Sequence, residues 1–244
     1  KLKPNGQGRV LSAGATNLPV RATAVEPDAK LQALVDEASQ LTANKRNQAV
    51  VQLEQSVLRS AAAPFADSHL GNLIADSQLA FAKARGDADM AIMNAGGIRG
   101  DLQVVPGRMT TLGELFTIQP FSNELVVMSL TGAQIYKVLA AHLSGYANGR
   151  VLQVSKGLEY SVILDATGQA KIAKVLLRQE PLQMSRDYRV VVNSFLAAGG
   201  DGYRTFAMGR DRVNLGLDLD AIVEYLRARP NAVQDAATGR IHLP

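Results

Sequence analysis

The apolar residues of this chain follow two periods, and the switches between them mark its elements. After Pro27-Asp28, Leu31, Leu34, Val35, Ala38 and Leu41 recur at steps of three and four, the spacing of a helix with one apolar stripe. Leu70, Leu73, Ile74, Ser77 and Phe81 repeat it. That predicts a second helix opening at about Asp67, with Asp67 or Ser68 as N-cap, and closing near Gly86. Residues 90–93 are an apolar run too short for a helix, bounded by Asp89 and the turn-prone Asn94-Ala95-Gly96-Gly97, so a buried strand is expected. Thr111-Leu112-Gly113-Glu114 has capping-box spacing, and residues 125–130 read as a strand leading to Thr131, the expected cap of a helix carrying Ile135, Val138 and Leu139.

Further on, residues 158–164 and 171–178 flank Asp165-Ala166-Thr167-Gly168, a hairpin signal. Residues 188–192 read as a strand, and Leu219, Ile222, Val223 and Leu226 mark a last helix before Arg229-Pro230. Strands and helices mix without strict alternation, which predicts an α+β fold: a mixed β-sheet flanked by helices. Residues 1–27 combine Gly, Pro and Asn with short apolar pairs such as Val10-Leu11 and read as an irregular linker arm ahead of one domain over 28–244.

Composition narrows the classes. A chain of 244 residues, 47% hydrophobic, can bury a substantial core. Lys and Arg outnumber Asp and Glu by 26 to 22, but the positive residues are scattered and the longest basic run is Lys45-Arg46. No polyanion stripe results, and nucleic acid is not an expected partner. The absence of cysteine excludes disulfides, thiolate metal sites and a cysteine nucleophile. No apolar run approaches the roughly 18 residues of a membrane span, and residues 1–8 lack the core of a signal peptide. Because the chain begins with Lys1 rather than Met, it is expected to be a mature product or, in preference, a fragment of a longer protein.

Three loops place glycines beside residues that can bind a ligand. In Asn94-Ala95-Gly96-Gly97-Ile98-Arg99, Gly96 and Gly97 let backbone N–H groups approach a ligand, and Arg99 offers a planar fork for phosphate or carboxylate. In Gln119-Pro120-Phe121-Ser122-Asn123, Pro120 stiffens the chain ahead of an aromatic. The third runs from Asn193-Ser194-Phe195 through Gly199-Gly200-Asp201-Gly202-Tyr203. Taken singly, each also fits an ordinary turn, with Phe121 in a core and Asp201 bonding its own backbone. His69, His142 and His242 are widely spaced and, apart from the pair Asp67/His69, lack partners at metal-ligand spacing. No catalytic or metal-ligating residue is expected in this chain.

Taken together, Leu70-Gly71-Asn72-Leu73-Ile74-Ala75-Asp76, the Asn94 to Arg99 loop, Pro120-Phe121, and Asn193-Ser194-Phe195 with Gly199-Gly200-Asp201-Gly202-Tyr203 resemble, in that order, the carboxy-terminal domain of the 5′-nucleotidase and UDP-sugar hydrolase family. The resemblance implies that Phe121 and Phe195 clamp a nucleobase, that Asp201 accepts ribose hydroxyls, and that Asn94, Gly96, Gly97 and Arg99 line the polar side, Arg99 toward phosphate. It implies further that residues 1–27 lead from an N-terminal metallophosphatase domain holding two divalent metal ions, that this chain binds no cofactor and is inactive alone, and that the protein is periplasmic or extracellular.

One position departs from the family pattern. Pro64 stands where an arginine precedes the Leu-Gly-Asn-Leu motif, with Arg59 the nearest upstream substitute. The substrate could then be another ester, such as a cyclic nucleotide or nucleotide sugar. Two alternatives stay open: a stand-alone module for nucleosides or other planar ligands, and a relative of thiosulfohydrolases.

Overall fold

The computed structural model describes every residue except 20, 22–24, 62, 64, 142, 144–150, 230 and 244, so Pro64 and His142 lie outside the described residues. The chain divides into two compact units, Lys1–Ala43 and Asn44–Pro244.

In the first unit, β1 (Leu2–Pro4) and β2 (Val10–Ala13) pair antiparallel. The expected irregular arm therefore contains a hairpin. Its turn is local chemistry: the Asn5 side chain accepts hydrogen bonds from Gln7 N at 3.0 Å and Arg9 N at 2.8 Å, and such an Asx turn needs no apolar period to announce it. Helix α1 (Ala29–Arg46) opens where its spacing predicts, with the Asp28 carboxylate accepting from Lys30 N at 2.9 Å and Leu31 N at 3.1 Å.

The second unit runs β3 (Ala49–Gln52), α2 (His69–Lys83), β4 (Met90–Asn94), β5 (Met109–Thr111), α3 (Leu112–Ile118), β6 (Glu124–Thr131), α4 (Gly132–Ala140), β7 (Leu152–Val154), β8 (Leu158–Leu164), β9 (Ala170–Leu177), β10 (Glu180–Pro181), β11 (Asp187–Asn193), α5 (Ser194–Ala197), β12 (Arg210–Leu217), α6 (Asp218–Ala228), α7 (Ala232–Asp235) and β13 (Ile241–His242). Local signals set most of the starts. Ser68 caps α2 by accepting from Gly71 N at 3.0 Å. Thr111 and Thr131 each form the reciprocal capping box, with Glu114 and Gln134 as partners. The β8–β9 turn closes around Asp165, whose carboxylate accepts from Thr167 N at 2.9 Å and Gln169 N at 3.0 Å.

The central sheet has the order β12-β6-β11-β4-β7. Only β11 and β4 pair parallel; β6 is antiparallel to β11 and β7 to β4, so the sheet is mixed as expected. Alternation sorts its side chains onto two faces. Ala91, Met93, Val127 and Val191 join the core under α2 and α6. Met90, Ile92, Val126, Met128, Val190 and Val192 join the core shared with α4 and β8. Covered on both faces, β4 is buried throughout, which is why it reads as a continuous apolar run.

The C-terminal segment is tied to the middle of α2 and to the residues just before it. Arg240 donates to both oxygens of Asp76 at 2.7 Å and to Val154 O at 2.7 Å. Asp67, expected as a possible cap, instead accepts from Gly239 N and Arg240 N at 3.0 and 3.1 Å. Both members of the Arg240–Asp76 pair are buried, and removing either would strand the other's charge.

Candidate functional site

Strand direction brings the three glycine-bearing segments to one edge of the sheet. β4 and β11 run parallel, so the loops after Asn94 and Asn193 leave the same side. β6 is antiparallel to β11, with Leu125 opposite Asn193, so the segment before β6, which holds Phe121 and Asn123, arrives there too. All the residues expected to bind a ligand, Asn94, Gly96, Gly97, Arg99, Phe121, Phe195 and Asp201, border one open cleft of about 660 Å³. The same cleft is bordered by Arg59, Asn123, Asn193 and Tyr203.

Hydrogen bonds join the first and third loops. The buried Asn193 side chain accepts from Leu196 N at 2.8 Å, capping the short helix that carries Phe195. Its amide donates to Asn94 Oδ1 at 3.0 Å, and Asn94 Nδ2 donates to Asp201 Oδ2 at 2.9 Å. Asn94 is thus a buried brace between the loops. Asp201 Oδ1 is left without a protein hydrogen bond among the described residues. Glycine is required at two points. Gly199 has φ +87°, a conformation L side chains avoid. At Gly200 a Cβ would fall 2.6 Å from the Phe195 ring, so the loop lies directly against that aromatic.

The second loop is held differently. Ser122 turns the chain at φ +52°, and Phe121 is 53% exposed. The Arg99 guanidinium lies 5.7 Å from the Phe121 ring centre and donates to Gly96 O at 3.3 Å; a cation over an aromatic face is attracted to its electron density. Arg59 donates to Ile98 O at 3.1 Å, and its backbone N–H to Asp101 Oδ1 at 2.7 Å. The cleft border therefore carries two guanidinium groups and one carboxylate, a set suited to a ligand with an anionic group and hydroxyls. Behind it, burial lifts the Asp218 carboxyl to about 6, against the opposing hydrogen bond from Asn123.

Several of these residues carried no assigned role in the sequence. Asn123, Asn193 and Tyr203 lie inside the recognised segments but are neither charged nor exposed aromatic, so nothing in the sequence separated them from turn formers. In the sequence Arg59 stands out only as the nearest upstream substitute for the arginine of the family pattern. A bridge between Val57 and Leu102, remote in sequence, brings its segment alongside Ile98. His69 Nε2 lies 2.5 Å from Val233 O and His242 Nε2 3.1 Å from Glu159 Oε2. Among the described residues no group of three or more His, Asp or Glu could hold a metal ion, and no helix is long and apolar enough to cross a membrane.

Residues 45–208 match the family model of the 5′-nucleotidase C-terminal domain. The chain belongs to this family. Among curated relatives of this 5′-nucleotidase C-terminal domain, the trifunctional nucleotide phosphoesterase YfkN of Bacillus subtilis is 37% identical over 183 residues, 72% of this chain and 12% of that protein. A 5′-nucleotidase of Vibrio vulnificus is 31% identical over 163 residues, 66% of this chain and 27% of that protein. The crystal structure of a 5′-nucleotidase precursor from Thermus thermophilus superposes with a TM-score of 0.73 at 28% identity, covering 99% of this chain and 48% of that one. The chain thus spans less than half the length of each of these relatives.

Proposed function

We propose that the cleft recognises a nucleotide, stacking its base against Phe121 and Phe195, accepting ribose hydroxyls at Asp201 and directing the phosphate ester toward Arg99 and Arg59. The observation that carries this reading is convergence: segments far apart in sequence, 107 residues between Asn94 and Asp201, place two partly exposed aromatics, a carboxylate and two guanidinium groups around one cleft. Base stacking on an aromatic is worth roughly 1–3 kcal/mol and tolerates different bases. The carboxylate supplies acceptors for a diol, and the guanidinium groups supply donor forks for phosphate.

In the same reading residues 1–27 lead from an N-terminal metallophosphatase domain of the same protein, outside the cytoplasm, and the ester is presented to two divalent metal ions held there. In-line attack on a phosphate ester by a two-metal centre needs a clustered ligand set, and Arg59 and Arg99 would hold the ester's charge while the base is anchored. The test is calorimetric titration of this chain with adenosine and AMP, alongside manganese-supplemented hydrolysis assays. Binding of both without turnover, with AMP the tighter, is expected. Failure of either ligand to bind would remove the nucleotide reading.

A further inference from the structure

The amide of Asn123 sits between the two aromatic segments. It follows Phe121 by two residues, and its Oδ1 accepts from the hydroxyl of Ser194, the neighbour of Phe195, at 3.4 Å. Behind it stands Asp218, the first residue of α6, which is 1% exposed. Asp218 Oδ2 accepts from Asn123 Nδ2 at 3.4 Å, and Asp218 N donates to Asn123 O at 2.9 Å. The other carboxylate oxygen, Oδ1, is buried with no hydrogen-bond partner among the described residues. A buried acceptor left unpaired is costly, so the position calls for a reason.

An asparagine amide can exchange its oxygen and nitrogen by a flip, and its neighbours decide which end points where. The Ser194 hydroxyl can donate or accept and would satisfy either state. An ionised carboxylate accepts only, so it requires the nitrogen to face it. We infer that Asp218 is a positioning residue for base selection: it holds the Asn123 amide in one flip state, so that the cleft offers the edge of a planar ligand a fixed donor and acceptor order. With one hydrogen given to Asp218 and one lone pair given to Ser194, Asn123 keeps one N–H and one lone pair for the ligand. This rests on the reading of the cleft as a base site.

Adenosine and inosine test it, because they exchange donor and acceptor along one edge while keeping the same ring and ribose. The full chain should bind one of them about 3–10-fold more tightly, the worth of a well-made hydrogen bond. Asp218→Asn, which can donate or accept, should bring that ratio close to one while Phe195→Ala leaves the ratio in place and weakens both ligands. In an Asn123→Ala background, Asp218→Asn should change nothing further. Should Asp218→Asn fail to fold by thermal melting, Asp218→Ser frees the amide equally, because a hydroxyl can donate or accept.

A wild-type ratio near one, a ratio unmoved by the Asp218 variants, or a change that persists without Asn123 would each overturn the inference while leaving the base site intact. Absence of binding by either nucleoside would instead overturn the base site, and this inference with it.

Discussion

Phe195 and Phe121 border the same cleft and are exposed to similar degrees, 45% and 53%, yet the chain holds them by different means. Phe195 rides on a short helix capped by the buried Asn193, its ring against the backbone of Gly200, and the Asn193–Asn94–Asp201 series ties that helix to the facing loop. These are buried, largely neutral contacts made within the protein itself. Phe121 depends on a left-handed turn at Ser122, on the exposed Arg99 and on the Asn123–Asp218 contact behind it. That side is built from charged groups, whose contributions vary with salt and pH. The contrast separates a wall braced by buried neutral contacts from one held largely by charged groups.

The largest effect expected is on stability, from the neutral side. Asn193→Ala removes a helix cap and leaves Asn94 Oδ1 buried without its donor, and should cost about 2–4 kcal/mol by chemical denaturation. A loss below about 0.5 kcal/mol, within the range of ordinary surface substitutions, would mean that the neutral wall does not depend on this series. Next, Phe195→Ala should weaken nucleoside binding by about 1–3 kcal/mol and Phe121→Ala by less. Gly200→Ala, whose methyl pushes into the Phe195 ring, should act in the direction of Phe195→Ala without removing the aromatic. Equal losses at the two aromatics in calorimetry would mean that the two walls hold the base alike.

A pH series probes the charged side. The Asp218 carboxyl is raised to about 6 in the fold from an ordinary 3.8, so the unfolded chain releases its proton first. Between those values the folded state holds more protons, and the residue's contribution to stability falls as pH rises from about 4 to 6 and stays low above. Asp218→Asn abolishes this titration. Relative to wild type it should therefore gain stability between pH 5 and pH 8, on the order of 1 kcal/mol. A stability difference between the two proteins that stays constant across that range would show that burial does not raise the Asp218 carboxyl. The smallest effect belongs to Arg99→Gln, which loses the guanidinium over Phe121. It should lower nucleoside affinity by about 0.5–1 kcal/mol, with a larger loss for AMP than for adenosine if Arg99 faces phosphate.

Much of the fold was legible in the sequence because it is decided within a few residues. The caps at Ser68, Thr111 and Thr131 and the turn at Asp165 are local hydrogen bonds. The continuous apolar run of β4 reports a strand covered on both faces. What periodicity could not convey is shown by two helices with the same spacing. Leu70, Leu73 and Ile74 on α2 are fully buried, whereas Leu31, Leu34, Val35 and Leu41 on α1 are 57–80% exposed. An apolar stripe states which face is apolar and says nothing of what covers it.

For the candidate site, the ordered segments were visible as motifs, because each needs its glycines or its aromatic in place. Their meeting was not visible. Phe121, Phe195, Asp201 and Arg99 border one cleft because β4 and β11 happen to run parallel and β6 antiparallel beside them. Strand order and direction are settled by packing across the whole sheet, not by any one strand's residues. Arg59 reaches the cleft through the bridge of Val57 to Leu102, and Asp218 through the start of α6 against the chain at Asn123. The sequence by itself determined the elements, their caps and the residue types available for recognition. The tertiary structure alone decided which of those residues face one another, because hydrogen bonds between distant segments carry no local period from which they could be read.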